Sequence, residues 1–120
     1  MKNYTFIRPD PELQNNLMAF GFECGKGWYP LIIELFDKIQ EIVDNNPEYA
    51  DLEVLQVKEK WGWLTIYWNY YWEEIENLTD EYQEKSLHIC ERCGGEENVS
   101  MRNHHGWYVT LCQNCENNPL

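Results

Sequence analysis

Positive charge is what this chain has least of. Nine lysines and arginines stand against 21 aspartates and glutamates, for a formal net charge of −12. A surface that acidic repels phosphate backbones, which argues against direct nucleic-acid binding. Long apolar runs are missing too. None approaches the ~18 residues that cross a bilayer, so no membrane span is expected. Polar Asn3, Tyr4 and Thr5 follow Met1-Lys2 where a signal peptide would be apolar, so no secretory leader is expected and the chain is read as cytoplasmic. In that reducing compartment cysteines hold metal more often than they pair as disulfides. A glycine-rich phosphate loop, a nucleophile elbow and a paired-histidine metalloprotease helix are also absent. Acids are so abundant that two of them lying close together identifies nothing. The expectation is a protein that is not an enzyme.

What is present suits a packed fold: 43% of residues are hydrophobic and 15% aromatic. Asp10-Pro11-Glu12 reads as a helix start running to about Phe20, with Gly21 closing it. From Tyr29, the residues Leu31, Ile32, Leu35, Phe36, Ile39, Ile42 and Val43 recur at helical spacing until Asn45-Asn46-Pro47 stops them. Leu52–Lys58 and Trp63–Asn69 read as two strands of a hairpin turning through Glu59-Lys60-Trp61-Gly62, with Gly62 at positive φ. A further strand is expected at Tyr4–Ile7. Ile75, Leu78, Tyr82 and Leu87 then form one stripe of a helix over 72–87, whose outward side carries Glu73, Glu74, Glu76, Asp80, Glu81 and Glu84. A solvated face is the plain reading of that charge run, and attraction to a basic partner is the sharper one.

Cys90-Glu91-Arg92-Cys93 and Cys112-Gln113-Asn114-Cys115 are two C-x-x-C pairs with 18 residues between Cys93 and Cys112. That spacing is the pattern of a structural zinc site, because Zn²⁺ takes four tetrahedral thiolates and two tight turns supply two each. Cys90, Cys93, Cys112 and Cys115 are therefore the expected ligands of one structural Zn²⁺. Four thiolates fill its coordination sphere and leave no open position for chemistry. The segment between the pairs fits a hairpin, Val99–Arg102 and Trp107–Leu111, turning at Asn103-His104-His105-Gly106. Cys24 has no partner in sequence and reads as a buried small hydrophobe. His104 and His105 suggest a metal-dependent nuclease, but 18 residues leave no room for a helix carrying further ligands, so they read as turn residues. His88 has no vacant coordination position to fill. The fold class expected is α+β, a small antiparallel hairpin or sheet on two helices with a C-terminal four-cysteine zinc ribbon. Residues 1–87 form the core and 88–120 the zinc module.

The segment Trp61–Trp72, WGWLTIYWNYYW, concentrates seven aromatic rings. Read as a strand, Leu64, Ile66, Trp68 and Tyr70 share one face, and Trp63, Thr65, Tyr67, Asn69 and Tyr71 the other. The first set is a core face. Trp63, Tyr67 and Tyr71, joined to the acidic helix, make a candidate aromatic-plus-acidic docking surface for a basic protein.

The motifs Gly27-Trp28-Tyr29, Gln56-Val57-Lys58-Glu59-Lys60-Trp61-Gly62-Trp63-Leu64, Glu84-Lys85-Ser86 ahead of Cys90-Glu91-Arg92-Cys93-Gly94, and Gly106-Trp107-Tyr108-Val109-Thr110-Leu111-Cys112 occur in that order. Over roughly residues 25 to 115 the chain resembles a family of small phage and prophage proteins ending in a four-cysteine zinc-binding module. Trp63 is more aromatic than that pattern. The chain also resembles metal-binding anti-CRISPR inhibitors of type II-A Cas9. The resemblance implies a zinc-held inhibitor in the bacterial host cytoplasm that binds Cas9 and blocks its DNA binding or cleavage. Cas9 is basic along its nucleic-acid channels, so an acidic surface suits them. A zinc-ribbon adaptor or transcription-associated regulator engaging a host protein is the alternative reading. A metal-dependent nuclease is the weaker one.

Overall fold

A computed structural model of the chain describes residues 3–117. The fold is α+β. It runs through β1 (Phe22–Glu23), α1 (Tyr29–Asn45), β2 (Val54–Lys60), β3 (Trp63–Trp68), α2 (Glu73–Lys85), β4 (Val99–His104), β5 (Trp107–Cys112) and the single turn α3 (Gln113–Asn117). Strands β1, β2 and β3 form one sheet in that order, and β4 and β5 form a separate hairpin.

Helix α1 buries Leu31, Ile32, Leu35, Phe36, Ile39 and Val43, the stripe its periodicity predicts. Against it lie Val54 and Val57 of β2, Leu64 and Ile66 of β3, and Ile75 and Tyr82 of α2. Burying each such side chain is worth about 1.5–3 kcal/mol. Val54 and Val57 are three apart, yet both face inward because the β2–β3 register shifts between Val54 and Gln56. Phe6 packs edge-on against Phe36 and Trp68, with centroids 5.1 and 5.4 Å away. The open edge of β3 is closed by side chains. Leu64 N–H donates to Ser86 Oγ (3.0 Å) and Ile66 N–H to Gln83 Oε1 (2.9 Å). Helix α2 and the 3-10 turn at Ser86–His88 thereby protect an edge that would otherwise recruit another strand.

Three expectations need correction. No α-helix forms over 10–20; a short 3-10 turn at Met18–Phe20 is all that appears. Asp10 does cap, but its carboxylate accepts the amides of Glu12, Gln14 and Asn15 at 2.9, 3.0 and 2.8 Å, which closes a turn. Leu13 then adopts φ +59°, which no α-helix tolerates. Tyr4–Ile7 is not a strand, although Phe6 O accepts the Val54 amide at 2.9 Å. The third strand is instead β1, parallel to β2 through Phe22↔Val57 and Glu23↔Lys58. Finally, Tyr70 does not share the core face, because β3 ends at Trp68 and Tyr70 lies in the bend beyond it, exposed.

Both hairpins turn on two residues at positive φ: Trp61 (59°) and Gly62 (93°), then His105 (56°) and Gly106 (87°). That pairing is the type I′ turn, which matches the right-handed twist of the strands. Asparagine or glycine ordinarily occupies its first position, so Trp61 is an expensive choice there.

Candidate metal centre and partner-binding surface

The first knuckle is a backbone construction. Gly94, at φ +80°, folds the chain so that its amide donates to Cys90 O (2.9 Å) while Cys90 N–H donates to Gly95 O (2.8 Å). Gly95 N–H then points at Cys93 Sγ (3.4 Å). The second knuckle joins the end of β5 to α3, where Cys115 N–H points at Cys112 Sγ (3.4 Å). The four thiol sulfurs lie within 4.8 Å of one another, with Cys93 and Cys112 at 3.7 Å. Tetrahedral bonds of about 2.3 Å place sulfurs about 3.8 Å apart, so the spacing fits Zn²⁺ with small adjustments. Cys90, Cys112 and Cys115 are buried and Cys93 faces solvent, which leaves an entry path.

The thiols are electrostatically unequal. Burial opposes a thiolate at Cys90, but the amides of Cys112, Cys93 and Arg92 outweigh it and bring the group down to about 6. Burial pushes Cys115 up to about 12, and hydrogen bonds to the neighbouring thiols add to the rise. One negative charge thus forms readily and discourages the rest. A divalent cation lets all four ionise together, which is the chemistry the arrangement supports.

The knuckle is pressed against the rest of the fold. Gly27 N–H donates to Glu91 O (2.8 Å), Gly25 N–H to Glu91 Oε2 (2.8 Å), and the fully buried Trp28 donates its Nε1–H to Ile89 O (2.8 Å). On the other side Glu91 N–H donates to Thr110 O (3.0 Å). The buried Thr110 hydroxyl donates to Gly62 O, tying the β4–β5 hairpin to the β2–β3 turn.

Cys24 is half-buried, and its thiol is pushed up to about 12 by burial, then by the charges of Glu91 and Glu59. That opposes any nucleophilic role. His104 Nε2 lies 2.6 Å from Glu116 Oε2, and His105 occupies the turn. His88 is exposed and lies outside the sulfur cluster.

The candidate docking residues divide into two groups. Glu73, Glu74, Asp80, Glu81 and Glu84 are exposed on α2 and Glu76 is half-exposed. Trp63 and Tyr67 stand out from β3 and Tyr71, 75% exposed, precedes α2. The register sets lysines beside the β3 aromatics: Lys60 opposite Trp63, Lys58 opposite Thr65, and Lys60 Nζ 5.9 Å above the Tyr67 ring. The nearest charges to Trp63 and Tyr67 across the sheet are therefore cationic. Sequence reasoning passed over Trp61, 70% exposed, and Trp107, 67% exposed. Each is part of, or directly beside, a two-residue hairpin turn, and a turn tip cannot enter the core, which was the available signal.

Comparisons of the chain with family models, curated proteins and solved structures return no match. Among the described residues no helix is long and apolar enough to cross a membrane.

Proposed function

We propose that this chain is a zinc-stabilised protein that acts by binding another protein, and that its partner is a basic nucleic-acid-handling protein, with Cas9 the first candidate. The observation that carries the reading is the placement of acid on α2. Glu73 and Glu74 in the first turn have a local reason to be there, since a helix N-terminus attracts negative charge. Asp80 and Glu84 do not. Asp80 lies mid-helix, four residues from both Glu76 and Glu84, a like-charge spacing that is unfavourable, and Glu84 sits in the last turn, where the helix dipole disfavours it. Only Glu81 gains an ion pair, with Lys85 at 3.4 Å; none compensates Asp80 or Glu84 among the described residues. Charge kept against local preference is explained by a basic surface that meets it. The closed tetrathiolate site gives the metal a supporting role. The resemblance to metal-binding anti-CRISPR inhibitors points to Cas9, whose guide and DNA channels are basic.

The test is a DNA-cleavage assay with purified Cas9–guide complex, with and without the zinc-loaded protein, alongside size-exclusion chromatography of the mixture. Inhibition with co-elution is expected, and Asp80→Lys with Glu84→Lys should relieve it. Unchanged cleavage and separate elution remove Cas9 as the partner.

A further inference from the structure

A second surface carries the opposite polarity. A cleft of about 460 Å³ opens between the Gly25-Lys26 turn, the first knuckle and the outer face of β4–β5. Val109 and Leu111 form its floor, Trp107 a wall, and Lys26, Arg92 and His104 its rim. Beyond Trp107 a second groove of about 310 Å³ runs between Lys58, Lys60, Trp61 and Tyr108. The chain has nine basic residues, and four of them line these two grooves. The two acids there are held by backbone: Glu91 accepts the Gly25 amide and Glu59 the Gly62 amide, at 2.8 and 2.7 Å. The ratio of acid to base that rules the whole sequence is reversed here.

We propose that this cleft binds an extended segment of a partner protein bearing a large apolar side chain flanked by carboxylates. The aliphatic floor and the exposed Trp107 ring suit an apolar anchor, since tryptophans in pockets dominate binding energy at protein interfaces. Lys26 and Arg92 suit its acidic flanks, and Arg92 Nη1 also donates to Cys115 O (3.1 Å), which steadies the guanidinium. A volume of this size matches one side chain with its neighbours. Nucleic acid fits less well. Its repeated phosphates meet a molecule of net charge −12, and Val109 and Leu111 offer nothing to a base edge. No α2 residue lines either groove, and the proposal does not depend on the function proposed for that helix.

The experiment is a titration of the isotope-labelled, zinc-loaded full chain with the capped peptide Gly-Asp-Leu-Glu-Gly, followed by NMR. Parallel titrations use Gly-Lys-Leu-Lys-Gly and a single-stranded oligothymidylate. The acidic peptide should shift the Trp107 indole N–H and the Leu111 methyls saturably, and the lysine peptide should bind at least about ten-fold more weakly. Trp107→Ala and Lys26→Glu should each weaken the acidic peptide by at least about ten-fold. Both positions are exposed, and unchanged circular dichroism and zinc content confirm that the variants fold. Equal binding of the lysine peptide, insensitivity to both variants, absence of saturable shifts, or response to the oligothymidylate alone overturns the proposal.

Discussion

Gly27→Ala probes the seam between the four-cysteine module and the core. Gly27 is buried in a 3-10 turn, and its φ lies outside the left-handed region, so alanine meets no backbone strain of its own. What it meets is the knuckle. An added Cβ would lie 2.2 Å from Cys90 O and 2.6 Å from both Glu91 O and Gly94 N. All three are backbone atoms, so no side chain can swing aside. Overpacking of this kind costs about 1–3 kcal/mol, and a contact this short belongs at the upper end. Relief requires the knuckle to retreat by about an ångström, which breaks the Gly27 N–H to Glu91 O bond and adds about 1 kcal/mol. The total of about 4 kcal/mol corresponds to a fall in Tm of roughly 10–20 °C for a domain of this size. Because Cys90 moves with the knuckle, zinc should also pass faster to a competing chelator. Gly106→Ala is the control. Nothing lies within 4 Å of its Cβ, and φ +87° costs only about 1 kcal/mol. Thermal unfolding with a chromogenic chelator reads both quantities. If Gly27→Ala melts and exchanges zinc like the native chain, the knuckle does not bear on this turn.

Protein purified without chelator should contain about one zinc per chain by elemental analysis, and a fully folded metal-free preparation would refute the structural role of the four cysteines. Thr110→Val removes a buried hydroxyl that donates to Gly62 O and should cost about 1–3 kcal/mol in chemical denaturation, with the zinc content retained. The Glu76 carboxyl is raised above its ordinary 4.5 by burial and then by Asp80, so its ionisation weakens the fold above the folded-state pKa and has no effect below 4.5. Glu76→Gln should therefore raise Tm at neutral pH, and the advantage should vanish as the pH falls below about 4.

The legible parts of this molecule were those written in local patterns. The α1 stripe needs only 3.6-residue periodicity, and both hairpins need only strand residues around a two-residue turn. The thiol cluster follows from two C-x-x-C pairs, since each knuckle is closed within six residues by its own amides. Legibility failed where a side chain captured the backbone or where distant segments met. Asp10 carries the marks of a helix cap, but with three amides to itself it winds a turn. Strand β1 is two residues long and exists because Phe22 and Glu23 reach Val57 and Lys58, a pairing no local pattern encodes. The split between lysine-flanked aromatics and acidic helix was likewise hidden. It depends on the pairing of Lys60 with Trp63, not on their places in the sequence.

The seam explains why Gly25-Lys26-Gly27 contains two glycines separated by a lysine. Cβ atoms at Gly25 and Gly27 would collide with the carbonyl of Glu91 at 2.3 and 2.6 Å, so neither position admits a side chain. Lys26 between them is exposed and reaches the rim of the cleft. The same three residues thus admit the knuckle and supply a cation beside it. The hairpin β2–β3, to which β1 adds only two residues, is marginal on its own, and a net charge of −12 works against compactness. A metal held at the knuckles would stabilise only the folded arrangement, and through Glu91, Trp28 and Thr110 that stabilisation would reach α1 and the β2–β3 turn. The acidic helix packs on the main core and the cationic cleft on the separate cluster around the cysteines, and those hydrogen bonds fix one relative to the other. A partner that uses both must present a basic surface and an acidic, apolar-anchored segment at a set separation, and that geometry is a stricter filter than either charge alone.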